Sequence, residues 1–133
     1  MTIKCLAIDD EPLALKQIGT YIRKTPFLEL VALSNSGFDA LEYISSDKPD
    51  LIFVDINMPD LNGMDFVKSL KEKPYIIFTT AYTEYAIEGF KVDAIDYLLK
   101  PIGYKDFLKA VNKVKTLVDL KTNHSFMVNT TPD

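Results

Sequence analysis

The chain of 133 residues holds one cysteine, Cys5, and one histidine, His124. A single thiol builds no disulfide framework. Its place in the apolar run Cys5-Leu6-Ala7-Ile8 marks it as a small core hydrophobe, at home in a reducing cytoplasm. His124 stands in a polar tail without metal-ligand partners and is read as inert. Basic clusters are also missing. With 26% charged residues and a formal net charge of −4, the chain is not expected to grip nucleic acid directly. Apolar runs such as Leu51–Val54 are far too short to span a bilayer, so no membrane association is expected. The N-terminus runs directly into a strand-like segment, which argues against a signal peptide and for a cytoplasmic location. No internal repeat or low-complexity tract interrupts the chain. What is there is enough apolar material, 47% of residues, for one domain with an ordinary buried core.

Five short apolar runs alternate with helix-like stretches: Ile3–Ile8, Leu28–Leu33, Asp50–Val54, Tyr75–Thr79 and Ile95–Leu99. In the first, third and fourth, a stretch of four residues is apolar at every position, which predicts burial on both faces in the middle of a parallel sheet. The second and fifth carry Glu29 and Asp96 inside, as edge strands do. A first helix is predicted from Pro12, with Leu15, Ile18 and Ile22 on one face. A second follows the capping pattern Ser36-Gly37-Phe38-Asp39, and a third follows Asn62-Gly63. A fourth runs roughly from Thr83 to Phe90. The last places Phe107, Val111, Val114 and Val118 on one stripe. Parallel strands need helical crossovers, right-handed almost without exception. The expected fold is therefore α/β: one doubly wound five-stranded parallel sheet flanked by five helices, with ligands outside the carboxyl ends of the strands.

Four of the five runs deliver polar groups to that rim. The first ends in Asp9-Asp10-Glu11, the third in Asp55-Ile56-Asn57-Met58-Pro59, the fourth in Thr79-Thr80-Ala81 and the fifth in Lys100-Pro101. Three carboxylates brought together disfavour one another's ionisation. A hard divalent cation removes that cost, and Mg²⁺ takes one or two carboxylates together with waters and phosphate oxygens. A carboxylate such as Asp55 can then attack phosphorus and form an acyl phosphate. The three equatorial phosphoryl oxygens would meet Mg²⁺, the Lys100 ammonium and the Thr80 hydroxyl. No histidine base is needed, since a carboxylate is already ionised at neutral pH.

Asp9-Asp10, Asp55, Thr80-Ala81 and Lys100-Pro101, in that order and each at a strand end, resemble the defining set of response-regulator receiver domains of bacterial two-component systems. The flanking Ile8-Asp9-Asp10-Glu11-Pro12, Asp55-Ile56-Asn57-Met58-Pro59 and Gly63 match too, and the resemblance runs from Ile3 to about Val118. It implies a flavodoxin-like strand order 2-1-3-4-5 and Asp55 as phosphoacceptor. It also implies Mg²⁺ bound directly by Asp10, Asp55 and the Asn57 backbone carbonyl, with Asp9 acting mainly through water. Lys100 would pair with the phosphoryl group, the bond to Pro101 would be cis, and Tyr97 would be the switch aromatic beside Thr80 and Ala81. Asn57 and Tyr82, two residues after the phosphoacceptor and the threonine, would tune hydrolysis.

The implied partners are a sensor histidine kinase, small phosphodonors and a second copy of the domain, docked when phosphorylated through the fourth helix, fifth strand and fifth helix. No enzyme activity beyond the domain's own phosphorylation and dephosphorylation is implied. The stretches Thr80–Ala86 and Ala94–Pro101 are most similar to receivers of LytTR-type regulators, which would make the output transcription control by a DNA-binding effector. Residues 1–118 are read as the receiver and 119–133 as a linker or tail leading toward such an effector, with Phe126-Met127-Val128 compatible with a strand start.

Other readings compete. Asp9 and Asp10 can cap the first helix, Thr80 can bond the backbone at its strand end, and Tyr97 can be half-buried packing. Tyr82, Tyr85, Phe90 and Tyr97 can form an aromatic patch near the fourth helix, part core and part dimer surface. A phosphohydrolase of the haloacid-dehalogenase type also uses a strand-end Asp, Thr, Lys and Mg²⁺. That chemistry wants a second Asp where this chain has Asn57, and a nucleophile after the first strand. A receiver-like interaction module that is never phosphorylated is the other alternative, with a flavin binder a distant third.

Overall fold

In a computed structural model, the backbone is described for residues 2–59, 61–82 and 94–130, and side chains as far as residue 122. The elements are β1 (Ile3–Ile8), α1 (Pro12–Lys24), β2 (Leu28–Ser34), α2 (Gly37–Asp47), β3 (Leu51–Asp55), α3 (Gly63–Lys68), β4 (Tyr75–Thr80), β5 (Asp96–Leu99) and α4 (Tyr104–Thr130). All five strands are parallel, in the order β2-β1-β3-β4-β5. The runs marked by Glu29 and Asp96, β2 and β5, are the edges, and β1, β3 and β4 are the centre, β1 with one exposed charge, Lys4, near its start. The predicted Thr83–Phe90 helix, with Tyr85 and Phe90 of the aromatic patch, lies outside the described residues, so four of the five expected helices are seen.

The alternation of side chains along each strand sorts the core into two layers. Ile3, Cys5 and Ala7 of β1 and Leu51 and Phe53 of β3 face one side, where Ile18 and Ile22 of α1 and Phe107, Val111 and Val114 of α4 cover them. Leu6, Ile8, Ile52 and Val54 face the other, under Ala40 of α2 and Met64, Phe66 and Val67 of α3. The Phe53 and Phe107 rings stack at 5.4 Å between centroids. Cys5 is fully buried in the first layer, and burial pushes its thiol up to about 12, with the nearby Asp50 charge adding to the effect.

The caps are local and explain the helix starts. Ser36 accepts the N–H of Asp39 at 3.1 Å and starts α2. Asn62 accepts the N–H groups of Met64 at 2.8 Å and Asp65 at 3.4 Å and starts α3. Helix α1 has Pro12 in its first turn, and the side chain of its N-cap residue, Glu11, makes no capping bond. Helix α4 runs beyond Val118, where its apolar stripe ends, to Thr130. Residues 126–128 are therefore helical, not the start of a strand. No helix among the described residues is long and apolar enough to cross a membrane.

Candidate functional site

The parallel arrangement brings the C-terminal ends of β1, β3, β4 and β5 to one rim. There Asp9, Asp10 and Asp55 approach so closely that one carboxylate oxygen from each lies within 4.8 Å of the others. Asp9 and Asp55 are each 4% exposed, whereas Asp10 reaches solvent. This is a costly arrangement for charges, and the protein offsets it in three ways. Lys100 Nζ lies 2.9 Å from Asp9, 3.5 Å from Asp55 and 3.4 Å from Glu11. The Glu11 N–H donates to Asp9 at 2.9 Å. The Asn57 N–H donates to Asp55 at 3.2 Å.

Three carboxylates sharing one lysine remain underneutralised. Burial, then the Asp9 charge, pushes the Asp55 carboxyl up to about 7, although Lys100 and the Asn57 N–H pull the other way. Burial alone would lower the Lys100 ammonium. Its hydrogen bond to Asp9 and the charges of Asp9, Asp55 and Glu11 outweigh that and hold it above the ordinary lysine value. A trio of hard oxygen donors with too little positive charge nearby fits a divalent cation, so these aspartates can hold a metal ion.

Thr80 is 3% exposed at the end of β4, and its hydroxyl accepts the Tyr82 N–H at 3.0 Å. It therefore makes the backbone bond that strand-end threonines favour, and still faces the same rim. On the far side, the Lys100 N–H donates to the Thr80 carbonyl at 2.7 Å, which fixes the start of the loop after β5. The Lys100–Pro101 peptide is cis. Asp10, Asp55, Lys100, Asn57, Ala81 and Tyr82 border an open cleft of about 730 Å³ that extends along α1. Asn57, Ala81 and Tyr82 are all exposed there.

Tyr97 sits apart from the acids. Its ring stacks on Phe78 at 5.4 Å, and its hydroxyl is buried with no hydrogen-bond partner among the described residues. Burial raises its phenol above the ordinary value. His124 falls among the tail residues whose side chains are not described. Sequence reasoning left Glu11 without a task, yet its carboxylate is the third partner of Lys100. The signal was present in its position directly after the two aspartates.

Comparison with known proteins points one way. The family model described as the response regulator receiver domain matches residues 5–112. The sensory transduction protein LytT of Bacillus anthracis is 37% identical over 116 residues, covering 85% of this chain and 47% of that protein. The transcriptional regulatory protein LytR of Staphylococcus aureus (strain N315) is 38% identical, with the same coverage. The chain thus spans about half the length of the curated relatives it matches. Among solved structures, the REC domain of AraT, a response regulator from Geobacillus stearothermophilus, superposes with a TM-score of 0.82 at 32% identity, covering 92% of this chain and 99% of that one. The response regulatory domain of protein mrkE from Klebsiella pneumoniae does so with a TM-score of 0.79 at 32% identity, covering 89% and 99%. A match over that much of the sheet and its helices, with relatives this similar along the same stretch, means that the chain belongs to the response regulator receiver domain family.

Proposed function

We propose that this domain accepts a phosphoryl group on Asp55 from a sensor histidine kinase or a small acyl-phosphate donor, and relays the change to an effector that controls transcription, as the names of its LytT and LytR relatives suggest. The observation that carries the reading is a buried carboxylate at the end of the central strand β3, beside two further aspartates and a lysine.

In the transfer step an Asp55 carboxylate oxygen forms a bond to phosphorus. The bond from phosphorus to the donor's leaving group breaks, and its electron pair leaves with that group, as acetate when the donor is acetyl phosphate. Asp9, Asp10, Asp55 and the Asn57 carbonyl would hold Mg²⁺, which supplies charge neutralisation when bound. Lys100, already 3.5 Å from Asp55, turns its ammonium to the arriving phosphoryl oxygens. Thr80 exchanges its Tyr82 partner for another such oxygen, with the exposed Ala81 leaving room above it. Asn57 and Tyr82, both at the cleft mouth, set how easily water reaches the acyl phosphate. The chemistry stays within the domain's own phosphorylation and dephosphorylation.

The relay runs through β4 and β5. Withdrawal of the Thr80 side chain toward the phosphoryl group frees space beside Phe78, where the Tyr97 ring packs. Tyr97 held inward then reshapes the surface of β5 and α4, favouring a phosphorylation-dependent homodimer. The expected helix between β4 and β5, the third part of that face, lies outside the described residues. To drive such a switch from 1:99 to 99:1, phosphorylation must favour the active state by ~5.5 kcal/mol. Several charge-assisted contacts at roughly 1.5–3 kcal/mol each can supply that.

Intact-protein mass spectrometry after incubation with acetyl phosphate tests the reading. One phosphoryl addition is expected with Mg²⁺, and none without Mg²⁺ or in Asp55→Asn. A folded wild-type protein that takes up no phosphoryl group under any of these conditions would instead support the unphosphorylated interaction module.

A further inference from the structure

The cleft beside Asp55 has two walls that are distant in sequence. One is α1, which begins directly after the acids. The other is the loop Lys100–Gly103, which carries the lysine. The floor end of this loop is tied to β4 through the Lys100 N–H. Its outer end is tied to α1 by one side chain: the Tyr21 hydroxyl donates to the Ile102 carbonyl at 2.9 Å, 81 residues away in the chain. The Tyr21 ring is held in turn. It packs on Tyr104 at 5.1 Å and Phe107 at 5.4 Å. Tyr104 lies under Lys24, whose Nζ is 4.3 Å from the ring centroid. The Tyr104 hydroxyl is 3.2 Å from the Thr25 hydroxyl, which also donates to the Tyr21 carbonyl at 2.9 Å. Gly103, next to Ile102, has no neighbour within 4 Å of where a Cβ would stand. The loop is thus open on that side; beyond the Lys100 N–H, the buried Ile102 side chain and the Phe107 N–H donating to the Gly103 carbonyl at 3.0 Å, the Tyr21 bond is what ties it to α1.

We infer that Tyr21 is a positioning residue for phosphoryl transfer: by holding the Ile102 carbonyl it fixes the loop that places the Lys100 ammonium over Asp55 and Asp9. This rests on Asp55 being the phosphoacceptor. Lys100 has a long side chain with several rotatable bonds, and it must meet developing phosphoryl charge at a defined point. Small misplacements of such groups are costly in rate. The aromatic cluster anchors the hydroxyl, so its bond sets the spacing between α1 and the loop.

The test is a double-mutant cycle on the full chain, with Tyr21→Phe, Lys100→Ala and both together. The readouts are the rate of phosphorylation by acetyl phosphate, followed by mass spectrometry, and Mg²⁺ affinity by calorimetry. Tyr21→Phe keeps the ring and its packing, so the protein remains folded. Its phosphorylation rate should fall about 3- to 10-fold, the scale of one net hydrogen bond. Mg²⁺ affinity should hold within about twofold, because the loop contributes no metal ligand. In the Lys100→Ala background the same substitution should have almost no further effect. A wild-type rate in Tyr21→Phe would overturn the inference, as would an equal slowing with and without Lys100, or a parallel loss of Mg²⁺ affinity. A wild-type protein that is never phosphorylated would instead overturn the phosphoacceptor reading beneath it.

Discussion

Asp55 carries an ionisation penalty that makes its own stability signature. Its carboxyl titrates near 7 in the folded protein because it is buried beside Asp9. In the unfolded chain an aspartate titrates near ~3.9. Between these values the folded state binds the extra proton, so stability falls as pH rises from about 4 to about 7 and stays low above that. Asp55→Asn removes the charge and should escape the penalty. In metal-free buffer the variant is expected to melt several degrees above wild type at pH 8, with the gap shrinking steadily toward pH 5, as circular dichroism melts would read. Added Mg²⁺ should raise the wild type and narrow the gap at pH 8, since a ligand of the native state stabilises it. Equal melting of the two proteins at pH 8 would mean that Lys100 already neutralises Asp55 fully.

Residue types at the rim were legible from sequence because each sits at the end of an apolar run. Their pairing was not. Nothing in the string Asp9-Asp10-Glu11 says that Lys100 lies closer to Asp9 than to Asp55. That preference is set by the fold, which brings the two together from far apart in the chain, not by anything local in sequence. The Tyr21 bond to Ile102 was equally hidden, since a tyrosine on the flank of an amphipathic helix has an ordinary packing explanation.

Among the elements, α3 shows how a short helix can be locked against the end of β3. The Gly63 N–H donates to the Ile56 carbonyl at 2.8 Å. A Cβ built on Gly63 would collide with the backbone carbonyl of Asp55 and come within 2.9 Å of the Ile56 Cα. Neither atom can move without shifting the backbone at Asp55 and Ile56. Gly63→Ala should therefore cost about 1–3 kcal/mol in urea denaturation, the range for inserting a methyl where there is no room. It should also slow phosphorylation, because relief of the clash displaces the end of β3. A variant as stable and as reactive as wild type would show that α3 can lift away freely. The Asn62-Gly63 pair was readable as a helix start. The reason for glycine was not, since the contact joins α3 to the end of β3 in space. The caps at Ser36 and Asn62 and the inner faces of α1 and α4 were predictable because each depends on neighbours within one or two turns. The extension of α4 past Val118 was not, because the polar residues that follow break the apolar stripe without forbidding a helix.

At the scale of the whole molecule, Glu29 and Asp96 mark the runs that became the edge strands, but an internal charge does not by itself sort edge from centre. A strand buried on both faces is apolar nearly throughout, yet β2 lies at the edge with Leu30–Leu33 continuously apolar, and β1 lies at the centre with Lys4 exposed near its start. That central position has a consequence for Cys5. It lies on β1, flanked by β2 and β3 and roofed by α1 and α4, and its thiol ionises only near 12. The thiolate is the form that attacks thiol reagents, so neither access nor reactivity exists while the sheet is closed. The molecule thus comes with its own stopwatch for opening. At pH 8, modification by a chromogenic disulfide should proceed no faster than global unfolding. It should lengthen with Mg²⁺ by the same factor as the gain in stability. A fast burst of one equivalent from the native protein would mean that the sheet breathes open without the rest.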